Sequence, residues 1–560
     1  MCPKKIYGLI LYCILSSTGL FAQSDSVIFP FISTPHSEDV QGKYLIDASP
    51  YAFIIDDQGT PVYQQQFLGG IRNFTALNDT SFAIYCYQIK AFLILDAQML
   101  PADTVHMSGE YEVDFHHISL HENGNMILVG KELRSIDMSA TVWAGSPDAT
   151  ISGAVIQEFD QEKNLLYEWK SLDHIGIGDT LTCLVDPLAQ SIDYIHVNSV
   201  QSDSDSTWIV SCRHLDQVIK IHKEKGEILW RLGGEGNQFE FTNDSLRFSA
   251  QHSVQLHENG DFSLFDNGNC KAEKISRALV YSLNQEEKTI SLSRELTHTP
   301  PVYTSFMGNY NLLPGGQSLV GWGRNRDQIV FSRYQEEFVL LEMTFTDQYT
   351  LYPYAVYPTQ WSSPIEIINI GPLKPGIINL GDSLWLDVEF HNTTDYEARP
   401  LSLHFKGAEV AFQNAFATPL APGEARLMKV QIIPEKRGTF ESSLTAYFRY
   451  GSDSFAPIGG SQVRLNLTVS GPSDIAHFHS RNASIRLFPN PANAMLTIDL
   501  KEPLDGLSIY NISGVLKMEL EQMDIGTHEV QISDLSAGTY FILGTSRSGN
   551  MVQSHFLKMD

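Results

Sequence analysis

Histidine recurs in this chain at one place of an internal repeat. The segments His116-His117-Ile118-Ser119-Leu120-His121-Glu122-Asn123-Gly124 and His252-Ser253-Val254-Gln255-Leu256-His257-Glu258-Asn259-Gly260 share the pattern H-x-x-x-L-H-E-N-G. A third copy begins at His196, in His196-Val197-Asn198-Ser199-Val200, one repeat length before His252, and a fourth begins at Met307, nearly the same interval after it. An imidazole can be a nucleophile, a proton carrier or a metal ligand, and three at one repeat position form a set rather than three accidents. Strand alternation places Asn198 on the same side as His196. Arg213, one strand and one turn beyond His196, adds a guanidinium able to grip an anion through paired N–H groups. Three imidazoles, one guanidinium and one carboxamide suit a tetrahedral oxyanion, with one imidazole available to attack it.

His116 and His252 are far apart in the chain, so the fold must bring them together. From Val27 to Pro358 the sequence consists of short β-prone runs broken by turn residues, such as Ala52-Phe53-Ile54-Ile55 before Asp56-Asp57-Gln58-Gly59, with no long helical periodicity. An all-strand repeat of roughly 40 to 55 residues predicts a β-propeller, because one small sheet cannot bury both faces alone and stacks on its neighbours around an axis. The length suits six blades. The innermost strand of each blade lines the axis, so repetition along the chain becomes a ring in space. The longer spacing from His116 to His196 predicts an insertion, placed at Ser135–Ser152 together with Ser171–Ser191, as loops on one rim.

Several strings in this region resemble the bacterial arylsulfate sulfotransferase family: Asp193-Tyr194-Ile195-His196-Val197-Asn198-Ser199-Val200, Ser211-Cys212-Arg213, Gly226-Glu227-Ile228-Leu229-Trp230-Arg231-Leu232-Gly233-Gly234, Gln251-His252, Phe265-Asp266-Asn267-Gly268-Asn269 and Ser276-Arg277. They run in the family's order across most of the propeller. The resemblance implies a six-bladed propeller that moves a sulfuryl group from an aryl sulfate to a phenol without a nucleotide sulfate donor or any other cofactor. It implies that His252 is the nucleophile and forms a transient sulfohistidine, and that His196, Asn198 and Arg213 hold the sulfate. Family members usually follow the first channel histidine with an acidic residue. This chain has His117 there, so alignment by repeat favours His116 and leaves His117 as the alternative.

Two other functions fit the same residues. Three histidines are the ligand set of a catalytic zinc, which would make a metal-dependent hydrolase, although a nearby arginine would repel the cation. A non-catalytic surface propeller binding sulfated or phenolic glycans is the other. His121 and His257 belong to the H-E-N-G turn, Asp266-Asn267-Gly268-Asn269 reads as a turn rather than a calcium loop, and Arg277 reads as structural. No G-x-S-x-G string occurs.

After Pro358 the pattern changes. A linker at Ser362-Ser363-Pro364 leads into alternating runs such as Leu384-Trp385-Leu386-Asp387-Val388-Glu389-Phe390, expected to form an immunoglobulin-like sandwich over 364–471. Gly471-Pro472-Ser473-Asp474 then precedes a module at 484–560 holding Leu487-Phe488-Pro489-Asn490-Pro491-Ala492 and Leu535-Ser536-Ala537-Gly538-Thr539-Tyr540. This module is similar to the C-terminal sorting domain read by the type IX secretion system, and the likeness implies that system as a partner. Lys4 and Lys5, an apolar stretch to Phe21 and then Ala22 read as a signal peptide over 1–22. Secretion through the periplasm to the medium or the cell surface is therefore expected. Net charge is -27, or -29 once Lys4 and Lys5 leave with the signal, which repels nucleic acid and anionic membrane. No later run reaches the roughly 18 apolar residues of a membrane helix. Cys86, Cys183, Cys212 and Cys270 remain, with three pairings open and no C-x-x-C. The expected ligands are a small aryl sulfate and a phenol, no metal is expected, and a homodimer is left open.

Overall fold

The computed structural model describes residues 27–559 except 38–39, 122, 181–182, 205, 347–350, 372–376, 380–382, 407–408, 413–417, 434–437, 452–456, 471–484, 512–515 and 548–550. The signal-peptide segment and the Gly471-Pro472-Ser473-Asp474 linker lie outside the described residues. The described chain is nearly all strand, and the only α-helix assigned within it is the single turn Ser171–His174.

Between Phe31 and Thr359 the described strands assemble into six sheets. The second to fifth each begin with a strand at the axis: Ile71–Asn78, Glu112–Leu120, Val197–Ser204 and His252–Leu256, with Asn309–Leu312 starting the sixth. Each of these first strands packs beside the next. The first sheet is built from both ends of the region: Lys43–Ala48 pairs with Val356–Thr359, Lys43 opposite Thr359. The N-terminal strand Phe31–Pro35 pairs with Phe338–Phe345, the outer strand of the sixth sheet. The ring is thus closed by hydrogen bonds between the start and end of the region. Strand alternation puts apolar side chains on both faces of every sheet, and successive sheets share an apolar layer. Trp169 and Ile151 meet Trp208 and Ile219, for example, while Trp230 and Leu232 meet Phe262 and Leu279. The core therefore sits between sheets, and the axis is left to polar residues.

In the insertion, the loop 137–148 stands at the tip of a long hairpin. Met126–Ile136 and Ala149–Phe159 form one continuous hairpin, Met126 opposite Phe159 and Ile136 opposite Ala149, so the sheet itself extends past the rim. Ser191–Asp193 then adds in parallel to Thr150–Ser152 and delivers the chain to His196.

The chain divides into two compact units, up to Ser470 and from Gly471. Within the first, the sandwich strands do not form a free-standing module. Ile458–Ser470 pairs with Pro61–Gln66, Ile458 opposite Gln64 and Gly459 opposite Tyr63, so the first propeller sheet runs on into the sandwich. The Ser362-Ser363-Pro364 segment cannot act as a hinge against that continuous ladder. The second unit has a three-stranded and a four-stranded sheet enclosing Leu496, Ile509, Tyr540 and Phe556.

Candidate active site

The axial strands are irregular where the candidate residues lie. A register shift falls between Val197 and Ser199, another between His252 and Gln255, and a larger one on Glu112–Leu120 between the residues opposite Leu128 and Gly130, which throws out 114–117. A bulge re-aims side chains that strict alternation would send into the sheet. His196 precedes its strand with φ 49°, a left-handed conformation. The turn Arg213–Leu215 follows Thr207–Cys212, and Arg213 N–H donates to His196 O at 3.0 Å while His214 N–H donates to Ile195 O at 3.1 Å. Those two bonds make His196 and Arg213 neighbours. A Cβ at Gly234 would collide with the Leu215 carbonyl, so glycine lets the next turn pass behind.

His252 is buried, and its Nδ1 lies 2.6 Å from Asn267 Oδ1 and 3.2 Å from Ala250 O. The Asn267 amide donates to Thr304 O and Met307 O, both at 2.9 Å, which fixes its oxygen toward His252. Both partners of Nδ1 accept, so Nδ1 carries the hydrogen and Nε2 keeps its lone pair. The Met307 backbone N–H points at that Nε2 from 3.4 Å. The repeat copy lacking a histidine thus supplies a donor to the histidine of its neighbour. Burial, then the Arg213 charge, hold His252 well below the ordinary imidazole value of 6.5, so it is neutral.

The other two imidazoles meet directly, His116 Nε2 to His196 Nε2 at 3.2 Å. Behind them stand carboxylates, Asp114 on His116 Nδ1 and Asp193 on His196 Nδ1 at 2.7 Å, with Lys131 on Asp114 at 2.8 Å. His117 instead turns to Ser119 Oγ at 3.1 Å, and burial lowers it to about 3. Arg213 is buried, donates to Ser305 O at 2.8 Å and to His214 Nε2 at 2.7 Å, and its Nε has no partner. Burial would raise Asp193, yet its hydrogen bond with His196 brings it down to about 2.

Asn198 is buried beside Gln251. It donates to Gln251 O at 2.7 Å and lines an axial cavity of about 370 Å³ together with His116, Gln201 and His257. Its Oδ1 is buried without a partner. Asn267, Asp114, Asp193 and His214 are the members that sequence reasoning missed. Asn267 lay in a string read as a turn, and an acidic residue two or three positions before each histidine of the pair was the available signal for the carboxylates.

Arg277 lies in a buried cluster of ion pairs. It donates to Asp266 through Nε at 3.0 Å, and Asp266 Oδ1 in turn accepts Ser249 N–H at 2.9 Å and Gly268 N–H at 3.0 Å. One buried ion pair therefore braces both the segment before His252 and the turn carrying Asn267. Cys183–Cys270 adds a covalent tie from the insertion to that turn, while Cys86 and Cys212 are buried thiols. Closing a loop of 87 residues is worth about 4 to 5 kcal/mol in the chain-entropy account. The Cys183→Ser/Cys270→Ser protein should accordingly melt several degrees lower by calorimetry; an unchanged midpoint would show the tie to be dispensable.

An all-β ring thus gathers three imidazoles and a buried guanidinium near its axis. Residues 92–339 match the family described as Arylsulfotransferase (ASST). Residues 486–558 match the secretion system C-terminal sorting domain, which marks the chain for secretion and attachment at the cell surface. No curated protein matches the chain. Among solved structures, a protein of unknown function from Bacteroides caccae aligns over 57% of this chain and 99% of its own at 10% identity, TM-score 0.39. PorZ, a surface component of the type IX secretion system of Porphyromonas gingivalis, aligns over 92% and 69% at 10% identity, TM-score 0.25. Virginiamycin B lyase from Staphylococcus aureus aligns over 60% and 90% at 9% identity, TM-score 0.29. No helix among the described residues is long and apolar enough to cross a membrane.

Proposed function

We propose that this chain transfers a sulfuryl group from an aryl sulfate to a phenol in two displacements through His252. The observation that carries the reading is the His252–Asn267 pair, which puts the hydrogen on Nδ1 and leaves a neutral imidazole with its lone pair on Nε2. His252 Nε2 attacks sulfur and the aryl oxygen leaves; a phenol oxygen then attacks the sulfohistidine and restores the imidazole. Arg213, with its unpaired Nε, His116 and His196 stabilise charge on the sulfuryl oxygens. Asn198 also donates to Gln251 O and so holds the Gln251-His252 backbone in place.

Aromatic rings support an aryl substrate. Phe115 stacks on His116 at 4.0 Å between ring centres, and half-exposed Tyr87 lies 6.1 Å from Phe115, a run of rings from solvent to the histidine pair. We read 1–22 as the export signal, 27–358 as the catalytic ring, 364–471 as the sandwich and 484–560 as the sorting module.

Turnover of 4-nitrophenyl sulfate with and without phenol, in chelator, tests the activity. Release that phenol accelerates and chelator spares is expected, with a sulfuryl adduct on the His252 peptide after donor alone; no adduct and no phenol dependence would refute it. A metal-dependent hydrolase is the second reading, because donor atoms of Asp193, His196 and His214 lie within 4.8 Å of one another. Arg213 opposes it by donating into His214 Nε2, the lone pair a cation would need. Loss of activity in chelator would favour the metal.

A further inference from the structure

The two imidazoles that meet at the axis impose a count of protons. Burial works to raise Asp114 and Asp193, but the histidine each faces, with Lys131 on Asp114, overrides it and keeps both ionised. An ionised carboxylate only accepts hydrogen bonds, so both Nδ1 atoms carry hydrogen. The two Nε2 atoms then lie 3.2 Å apart. If both were bare, two lone pairs would face each other in a site with little water; with one hydrogen between them, the separation is that of a hydrogen bond. If both were protonated, two cations would collide.

We propose that His116 and His196 together hold one proton between their Nε2 atoms, and that the departing aryl oxygen takes this proton and the acceptor phenol returns it. The proposal rests on His252 as the nucleophile. In the first half, the electron pair of His252 Nε2 forms the bond to sulfur. The sulfur–oxygen pair goes to the aryl oxygen, which takes the shared proton and leaves as a phenol. In the second half, the acceptor phenol gives its proton to the pair as its oxygen bonds to sulfur, and the sulfur–nitrogen electrons return to His252. Between the halves the two bare Nε2 atoms repel each other, which makes the pair a base for the incoming phenol.

The surroundings fit one proton. Lys131 and the shared proton offset the two carboxylates, so Arg213 is left to supply the net positive charge to the anion. His214, whose ring centre lies 4.7 Å from that of His196, is pushed to about 4 by burial and is neutral, as is His252. Phe115 and Tyr354 cover His116, the latter at 5.5 Å between ring centres, and the Tyr354 hydroxyl is engaged by His116 O. His116 lines the axial cavity and His196 keeps 19% of its side chain exposed, so the pair is open to a bound substrate.

Leaving-group dependence tests this. A nitrophenolate departs without a proton, whereas unsubstituted phenolate, with a pKa near 10 like tyrosine, needs one. His196→Gln should lower kcat/KM for phenyl sulfate at least tenfold more than for 4-nitrophenyl sulfate. Equal losses on both donors would overturn the proposal and leave the pair as sulfate holders. Should His196→Gln fail to fold, the wild-type protein answers through histidine 15N spectra at neutral pH. One proton shared by two Nε2 atoms is expected, and two bare or two protonated Nε2 atoms would overturn it. Absence of the His252 adduct with the leaving-group dependence intact would instead refute the nucleophile.

Discussion

His252→Ala should lose turnover of 4-nitrophenyl sulfate by on the order of 10⁵-fold in kcat, the scale seen when a covalent nucleophile is removed while the binding site stays. The side chain is buried and its loss leaves a small cavity, so folding must be checked by calorimetry in the same experiment. Retained fold with no phenol-accelerated release and no sulfuryl adduct is the expected result; appreciable ping-pong turnover in the variant would sink His252 as nucleophile. The same site predicts the pH behaviour of the wild type. A histidine with a lowered pKa stays deprotonated on acidification past the ordinary imidazole value of 6.5, so donor kcat/KM should not fall where a free imidazole protonates. A fall centred near 6.5 would show His252 titrating normally.

The second large effect belongs to Arg213. Arg213→Lys keeps the charge but removes the planar fork that reaches Ser305 O, His214 Nε2 and the unfilled Nε direction together. A loss of roughly 10² to 10³ in kcat is expected, the scale of one donor withdrawn from a developing anion. The loss should appear in kcat more than in KM, because a preorganised donor acts most where charge grows. Near-wild-type kcat in Arg213→Lys would mean that a point charge suffices and the fork has no role. Arg213 is costly to bury, and burial lowers its pKa despite Asp193 and Asp216 nearby. A folded protein tolerates such a group where an anion will complete it.

Much of this site was legible because a repeat converts sequence position into position around an axis. His116, His196 and His252 could be grouped before any coordinates, and Arg213 followed from one strand and one turn. What stayed hidden depends on irregularity. The contact of Asn198 with Gln251 O, beside a bulge after Val197, could not be read from alternation. Asn267 is close to His252 in the sequence, yet its role arises from a buried turn braced by Asp266 and Arg277, which local composition describes only as a turn. The all-β class was readable from strand-length runs. The hairpin at Met126–Phe159 was not, because its extension is set by pairing across the insertion rather than by any local preference.

The ladder joining Pro61–Gln66 to Ile458–Ser470 bears on how this chain is inherited and handled. A propeller blade normally ends in an outer strand with one row of open backbone groups, a template for any passing strand. Here a segment from the opposite end of the same unit occupies part of that row at Tyr63 and Gln64. The sandwich is therefore not a cassette that can be cut away to leave a cleaner enzyme. Trimming at Pro358 would bare the edge, strip the partners of Asp57 and Gln58 contributed by Arg464 and Lys406, and invite polymerisation. The smallest natural cut is at Ser470, where the first compact unit ends.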